Sequence, residues 1–334
     1  MSDGGPPERP LRCLVMAPPD LVRLLHHVSV LPSLAASGRQ LVLLARDSAA
    51  AVLEPTLMRL RLDHTPDHLH APLSLDRSEV TAGVLRSLEF DEAVLLDPRG
   101  ADVRLALAAG IRRRWGYASG LAGWGLRPRV PRPGLDGRHE QDDARELVEA
   151  MGATWTKAEG IEVSKSWRDT GDERLRAAHL KLDERPIVGI YPGKSGAPRK
   201  RRSWPAEHFE EMMRRLRRKR PAWQMIILAT EPELWQAVLL YEKTGKIHPV
   251  VGPDLAPESF AALLNRLDLV IGADTWPLHL AAALGVATVG FFEEGASRRA
   301  PQGPLHRRLE RKLSALDVDE VVAVAAAEGD ALEG

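Results

Sequence analysis

The sequence holds one cysteine, Cys13, in 334 residues. A single thiol allows neither an intrachain disulfide nor a cysteine-based metal cluster, and it fits a reducing compartment. Net charge is also missing: 46 Lys and Arg stand against 46 Asp and Glu, whereas a dedicated nucleic-acid binder is normally basic overall. Nowhere do about 18 apolar residues run uninterrupted, the length a membrane-spanning helix needs. The opening MSDGGPPERP lacks the apolar segment of a signal peptide, so residues 1–9 are expected to form a flexible tail on a cytoplasmic protein.

What is present is an ordinary globular composition, 44% apolar, in a chain longer than one core usually supports, and two domains follow. Short apolar runs alternate with helical segments, the pattern of parallel βαβ units. In the first half, strands are expected over 11–17, 40–45, 92–96 and 112–116. Helices are expected over 21–38, kinked at Pro32 and ended by Gly38, over 48–62 with an interruption at Pro55, and over 78–88, 100–109 and 144–151. Residues 121–138, rich in Gly, Pro and Arg, read as a long surface loop. The polar stretch 159–185 has no strand core and is expected to hold the linker.

A second alternating series then runs from the strand 187–191 to the strand 286–292, followed by an amphipathic helix over 316–327. The expected domains are 10–165 and 186–315. A linker at 166–185 separates them, and 316–334 forms a C-terminal helix and tail.

Two loops carry the chemistry. The stretch LDLVIGADTWPLHLAAALGVATVGFF, 267–292, sets two buried strands around a turn that holds Asp274, Thr275, Trp276, Pro277 and His279. In a parallel sheet such a turn lies at the carboxyl end of a strand, where ligands bind, and the helix behind it offers N–H groups to an anion. The second loop, YPGKSGAPRKRRSWP from Tyr191, also joins a strand to a helix. Its GKS is not a Walker P-loop, because that motif needs a glycine at position 188, which is Val. Arg199, Lys200, Arg201 and Arg202 either form a solvated charged loop or neutralise a diphosphate beside Gly193. The run Arg214 to Arg220 suits a helix end and needs no ligand.

At these loops the sequence resembles glycosyltransferase family 9, the bacterial heptosyltransferases of lipopolysaccharide core. YPG at 191–193, RRSWPAEHF at 201–209 and DTWPLHLAAALG at 274–285 carry the likeness, together with the DEAVLLDPRG to RWGY segment and Pro19-Asp20 after the first strand. The resemblance implies the α/β fold called GT-B, two Rossmann-like βαβ domains facing each other across a cleft. It implies inverting transfer of a sugar, heptose from ADP-heptose or a sugar from another nucleotide sugar, to a lipid-linked lipopolysaccharide core or related glycan, with no metal and no cofactor beyond the nucleotide sugar as substrate.

By position, the resemblance makes Asp20 the catalytic base and gives Arg202 the place of a catalytic cation on the donor phosphate. Gly193, Lys194, Ser195, Lys200, Glu233, Asp274, Thr275, Trp276 and His279 become donor contacts. Acceptor contacts fall to Arg99, Arg127, Arg129 and His139, and the arginines between Arg127 and Arg138 suit peripheral contact with the inner membrane face.

Each role has a plainer rival. Asp20 can simply cap its helix, Asp274 can bond its own turn, and His279 can be a packed core histidine. Three departures stand out: Trp276 and Pro19 replace glycines of the family pattern, and Tyr191 replaces a histidine. Trp276 and Pro19 motivate an alternative, a catalytically inactive relative that serves as a nucleotide-sugar sensor or assembly scaffold.

Overall fold

A computed structural model describes residues 9–64, 74–118, 120–131, 139–157, 160–193 and 204–333. The chain divides into two units, residues 1–158 and 159–334.

In the first unit six parallel strands form one sheet: β1 (Arg12–Met16), β2 (Gln40–Ala45), β3 (Ser74–Asp76), β4 (Glu92–Leu95), β5 (Arg113–Ala118) and β6 (Val130–Pro131), ordered β3-β2-β1-β4-β5-β6. Among the described residues it is accompanied by the helices α1 (Leu21–His26), α2 (Val30–Ala36), α3 (Asp47–His64), α4 (Ala82–Ser87), α5 (Gly100–Ala108) and α6 (Glu140–Ala150). Strands covered on both faces read as continuous apolar runs, and β1, β2 and β4 are such runs, buried almost throughout.

Several expectations change here. The helix over 21–38 is two helices, and the break falls at His27 to Ser29 rather than at Pro32. The His27 ring donates to the Arg23 carbonyl at 2.6 Å, while Pro32 sits in the first turn of α2, where a missing N–H costs little. Pro55 lies inside α3 without ending it, because Val52, Leu53, Thr56 and Leu57 are buried on either side of it. Within the expected loop 121–138 the chain forms a 3-10 turn, Gly120–Gly125, and β6. The helix expected at 144 starts at Glu140, where His139 and Asp142 form a capping box.

The second unit repeats the plan with β7 (Ile187–Tyr191), β8 (Gln224–Leu228), β9 (Val250–Val251), β10 (Leu269–Ala273), β11 (Ala287–Phe292) and β12 (His306–Glu310), ordered β12-β11-β10-β7-β8-β9. Its helices are α7 (Lys165–Ala177), α8 (Ala206–Lys219), α9 (Leu234–Lys243), α10 (Pro257–Leu264), α11 (Trp276–Ala283) and α12 (Val318–Glu333). Counted from its own first strand, each sheet reads 3-2-1-4-5-6, the Rossmann order.

The linker expected at 166–185 is not a bare connection. Most of it is α7, packed on α10 so closely that a Cβ at Gly171 would meet the Ala262 carbonyl at 2.3 Å. Asp172 pairs with Arg266 at 2.5 Å, and Ile161, ahead of the helix, donates to the Ala283 carbonyl at 2.7 Å. The segment reads as polar because only Gly171 and Leu175 of the helix are buried.

One device occurs twice. Asp91, just before β4, accepts the Arg12 N–H at 2.8 Å and the Arg9 guanidinium at 2.8 and 3.1 Å, and returns its own N–H to the Arg12 carbonyl. Asp268, just before β10, accepts the Ile187 N–H at 2.6 Å and Arg185 at 2.7 and 3.1 Å, and returns its N–H to the Ile187 carbonyl. An Arg-Pro pair, Arg9-Pro10 or Arg185-Pro186, precedes the first strand each time. Both clamps join the amino ends of the two central strands.

Elsewhere in the first unit, Glu92 is buried and fully engaged, by Arg39 at 2.5 Å and the Trp115 indole at 3.0 Å. Burial pushes the neighbouring Cys13 thiol well up, and the Glu92 carboxylate adds to this against Arg39. Cys13 is thus a packed, inert side chain.

Gly171→Ala is expected to destabilise the protein by about 1–3 kcal/mol through overpacking against α10, read as a lower urea midpoint. Asp268→Ala, which strands the Ile187 N–H and Arg185, is expected to cost about 1–3 kcal/mol in the same measurement.

Candidate functional site

In each sheet the strand order reverses between the two central strands, and the loops leaving their carboxyl ends diverge there. In the second unit these strands are β7 and β10. The turn after β10 presents Asp274, whose N–H donates to the Phe291 carbonyl at 3.0 Å. One carboxylate oxygen of Asp274 lies 2.7 Å from Nε2 of His279, and the other lies 4.0 Å from Nη2 of Arg299. His279 is buried one helical turn along α11, with its ring edge-on to Phe292 at 6.1 Å. The carboxylate is therefore oriented from the core side by an imidazole and faces a half-exposed guanidinium outside.

Thr275 stands at the N-cap of α11, but its hydroxyl turns back to donate to the Ala273 carbonyl at 3.1 Å and caps nothing. Pro277 has no N–H, and those of Leu278 and His279 approach the Thr275 carbonyl. Only the Trp276 N–H of that first turn has no backbone partner among the described residues. The helix thus offers an anion fewer amides than the sequence promises. The Trp276 indole is half-buried and anchored on Phe260 of α10, ring centroids 5.1 Å apart and tilted by 56°.

Gly193, after β7, has φ +86°, and a Cβ on it would meet the Ala273 Cβ at 3.3 Å. A glycine is needed there on both counts. Lys194, Ser195, Lys200 and Arg202 lie outside the described residues. Glu233, in the turn after β8, is buried and accepts bonds from the Tyr191 hydroxyl at 3.2 Å and from the Thr230 hydroxyl. Burial pushes the Tyr191 phenol well above its ordinary range; the Thr230 bond opposes this and the Glu233 carboxylate reinforces it. Gly193, Glu233, Asp274, Thr275, Trp276 and His279 thus gather along one sheet edge, the carboxyl ends of β8, β7 and β10.

In the first unit the central strands are β1 and β4. Asp20 follows β1, exposed, and caps α1 by accepting the Arg23 N–H at 3.3 Å. Arg23 reaches across to Asp97, just beyond β4, at 3.0 Å, and Arg99 stands 3.8 Å from the same carboxylate oxygen. Asp20, Arg23, Asp97 and Arg99 therefore share one edge.

The other expected acceptor contacts do not join them. Arg127 pairs its backbone with Arg114 at the flank of β5, and Arg129 lies two residues further on. His139 is buried, and its ring accepts the Gln141 N–H at 3.1 Å as the cap of α6. Next to it Glu140 bonds His26 at 3.0 Å. Burial pushes the Glu140 carboxyl up, but the His26 bond and the charges of His26, His27 and Arg23 outweigh it and hold the carboxyl at about 2.

Arg23, Asp97 and Arg299 went unread in the sequence. Asp97 could have been found, since it follows β4 as Asp20 follows β1 and Asp274 follows β10. Arg299, in the short turn Ser297–Arg299 beyond β11, carries no such signal.

No curated protein sequence matches the chain. The family model described as glycosyltransferase family 9 (heptosyltransferase) matches residues 85–319. Among solved structures, the chain is similar to the glycosyl transferase family 9 from Veillonella parvula DSM 2008, at 18% identity over 97% of this chain and 98% of that one, TM-score 0.77. It is also similar to the E. coli ADP-heptose lps heptosyltransferase II, at 15% identity over 97% and 100%, TM-score 0.75. A third likeness is to E. coli heptosyltransferase WaaC with ADP, at 16% identity over 96% and 99%, TM-score 0.67. At these identities the structures speak for the fold, two Rossmann-like units in one chain, the GT-B class. The family match spans well over half of the sequence, and the chain belongs to glycosyltransferase family 9, the heptosyltransferases.

Proposed function

We propose that this glycosyltransferase moves a heptose from ADP-heptose to a lipopolysaccharide core or related glycan, with inversion and without a metal. The observation that carries the reading is Asp274, held between His279 and Arg299 at the switch point of the second sheet. A carboxylate oriented in this way suits hydrogen bonds to the hydroxyls of a donor sugar, and the guanidinium beside it suits a phosphate. Two of the solved structures carry ADP or an ADP-sugar analogue in their own descriptions, which supports an adenine nucleotide here.

In this reading the acceptor oxygen attacks the anomeric carbon as the bond from that carbon to the diphosphate oxygen breaks, and the diphosphate leaves with the electron pair. Asp20 takes the proton of the attacking hydroxyl, and Arg23 and Arg99 hold the acceptor edge around Asp97. Negative charge grows on the leaving diphosphate, where Arg299 and the Trp276 N–H stabilise it. Lys194, Ser195, Lys200 and Arg202 belong to the same donor role by their place in the chain, and Glu233 orients the loop after β8 through Tyr191 and Thr230. The second reading, a nucleotide-sugar sensor without turnover, draws on Trp276, whose indole stands at the start of α11 where the family pattern has glycine.

ADP-heptose at about one hundred times its Kd is expected to stabilise the protein by about 2.7 kcal/mol, seen as a rise in Tm. UDP- and GDP-sugars should give no such rise, and Asp274→Ala should remove it. Asp20→Ala is expected to keep the ADP-heptose shift while losing about 10²- to 10⁴-fold in turnover, measured as ADP release in the presence of acceptor. A wild-type protein that shows the shift but releases no ADP would favour the sensor.

A further inference from the structure

A helix lying on a sheet turns its apolar side inward and its charges outward. α8 does so: Phe209, Met212, Met213 and Leu216 are buried, and Arg214, Arg217, Arg218 and Lys219 are exposed. Its neighbour α9 is built the other way round. It buries Ala237 and Leu240 and leaves Leu234, Trp235, Val238 and Leu239 outside, exposed by 36, 55, 43 and 39%. No other described helix carries more than one exposed large apolar side chain.

The four residues are contiguous. Positions three and four apart adjoin on a helix surface, so Leu234 lies beside Val238, and Trp235 beside both Val238 and Leu239. At 100° per residue this stripe points away from Ala237 and Leu240. Its exposed area is on the order of 400 Å², the size at which an apolar patch on a soluble protein often marks an interaction. The lysines at the end of the helix are already engaged. Lys246 lies 3.1 Å from Glu242, and Lys243 lies 3.4 Å from Glu207 and 3.9 Å from Glu210, both on α8.

We propose that α9 docks on the same helix of a second copy of this chain. A surface that meets itself across a two-fold axis must tolerate its own charge. Here the lysines are compensated locally, and the chain as a whole carries no net charge, so little like-charge repulsion opposes self-association. Set antiparallel about the axis, each helix brings the exposed Glu231 at its amino end towards the other copy's carboxyl end, where Lys243 and Lys246 outnumber Glu242. The helix dipoles favour the same arrangement. A patch of this size falls below the roughly 800 Å² that each partner gives to a standard interface. The dimer is therefore weak and concentration-dependent. It rests on nothing in the transferase reading and is measured without donor or acceptor.

The test is sedimentation equilibrium of the full chain. From about 1 to 200 µM the mass is expected to pass from one chain to two, with a Kd on the order of 10 µM. Trp235→Glu and Leu239→Glu each put a carboxylate into the stripe and should raise that Kd about tenfold or more. Neither side chain belongs to the core, so the far-ultraviolet circular dichroism and the urea midpoint at low concentration should be unchanged. A chain that stays single over the whole range, or variants that dimerise as the wild type does, would overturn the proposal. So would a single chain that is retained on phosphatidylcholine vesicles and released by Trp235→Glu, which would assign the stripe to lipid.

Discussion

Both halves of this protein depend on a carboxylate that clamps two parallel strands at their amino ends. Asp91 ties β4 to β1 and Asp268 ties β10 to β7, each by the same exchange of backbone bonds and by two hydrogen bonds from one arginine, Arg9 on both carboxylate oxygens of Asp91 and Arg185 on one oxygen of Asp268. Parallel strands slanted in one direction have no hairpin to set their register, so a side chain that bonds the first N–H of one strand from the residue before the other sets it instead. With register set at the amino ends, the carboxyl ends emerge level with each other, and the loops that follow them open side by side. Asp20 with Asp97, and Gly193 with Asp274, are neighbours for that reason. That both clamps use an Arg-Pro pair and an aspartate at equivalent places marks the two units as versions of one plan.

Much of this was legible in the sequence, and the limits were physical. Strands buried on both faces write themselves as apolar runs, so β1, β2, β7 and β11 stood out, and the polar residues just after them stood out in turn. Strands at the sheet edges write nothing comparable: β12 reads His-Arg-Arg-Leu-Glu, with only Leu309 buried, and β3 is three residues long. The helix α7 was mistaken for a connection because a close helix contact made through glycine leaves no apolar stripe. Proline was over-read, at Pro32 and at Pro55, since its effect depends on where in the helix it falls.

The site divided along the same line. Asp20, Asp274 and His279 lie within a few residues of a buried strand, and their spacing along the chain is nearly their arrangement in space. Arg299 touches Asp274 across a strand and a loop, and Arg23 meets Asp97 across 74 residues of sequence. Such pairings belong to the sheet order and not to any local pattern. Family membership could be read early because its pattern sits in the local class, in the turns that open on the carboxyl edge. His139 shows the converse: a residue of suggestive type near a suggestive loop proved to be the buried cap of a helix.

The start of α11 sets the character of the carboxyl edge of the second sheet, the proposed donor edge, in a way that the turn sequence hides. With Pro277 lacking an amide and Thr275 bonded backwards, oriented dipoles are scarce there, and positive charge comes from a side chain on another loop. Oriented amides act over a contact distance and are nearly indifferent to the medium. A half-exposed guanidinium instead casts a field that counter-ions damp over a Debye length of about 10 Å at 0.1 M salt. Among the described residues, the positive charge at this edge is therefore of the screened kind, and the ionic strength around the protein becomes one of the determinants of an anion's occupancy.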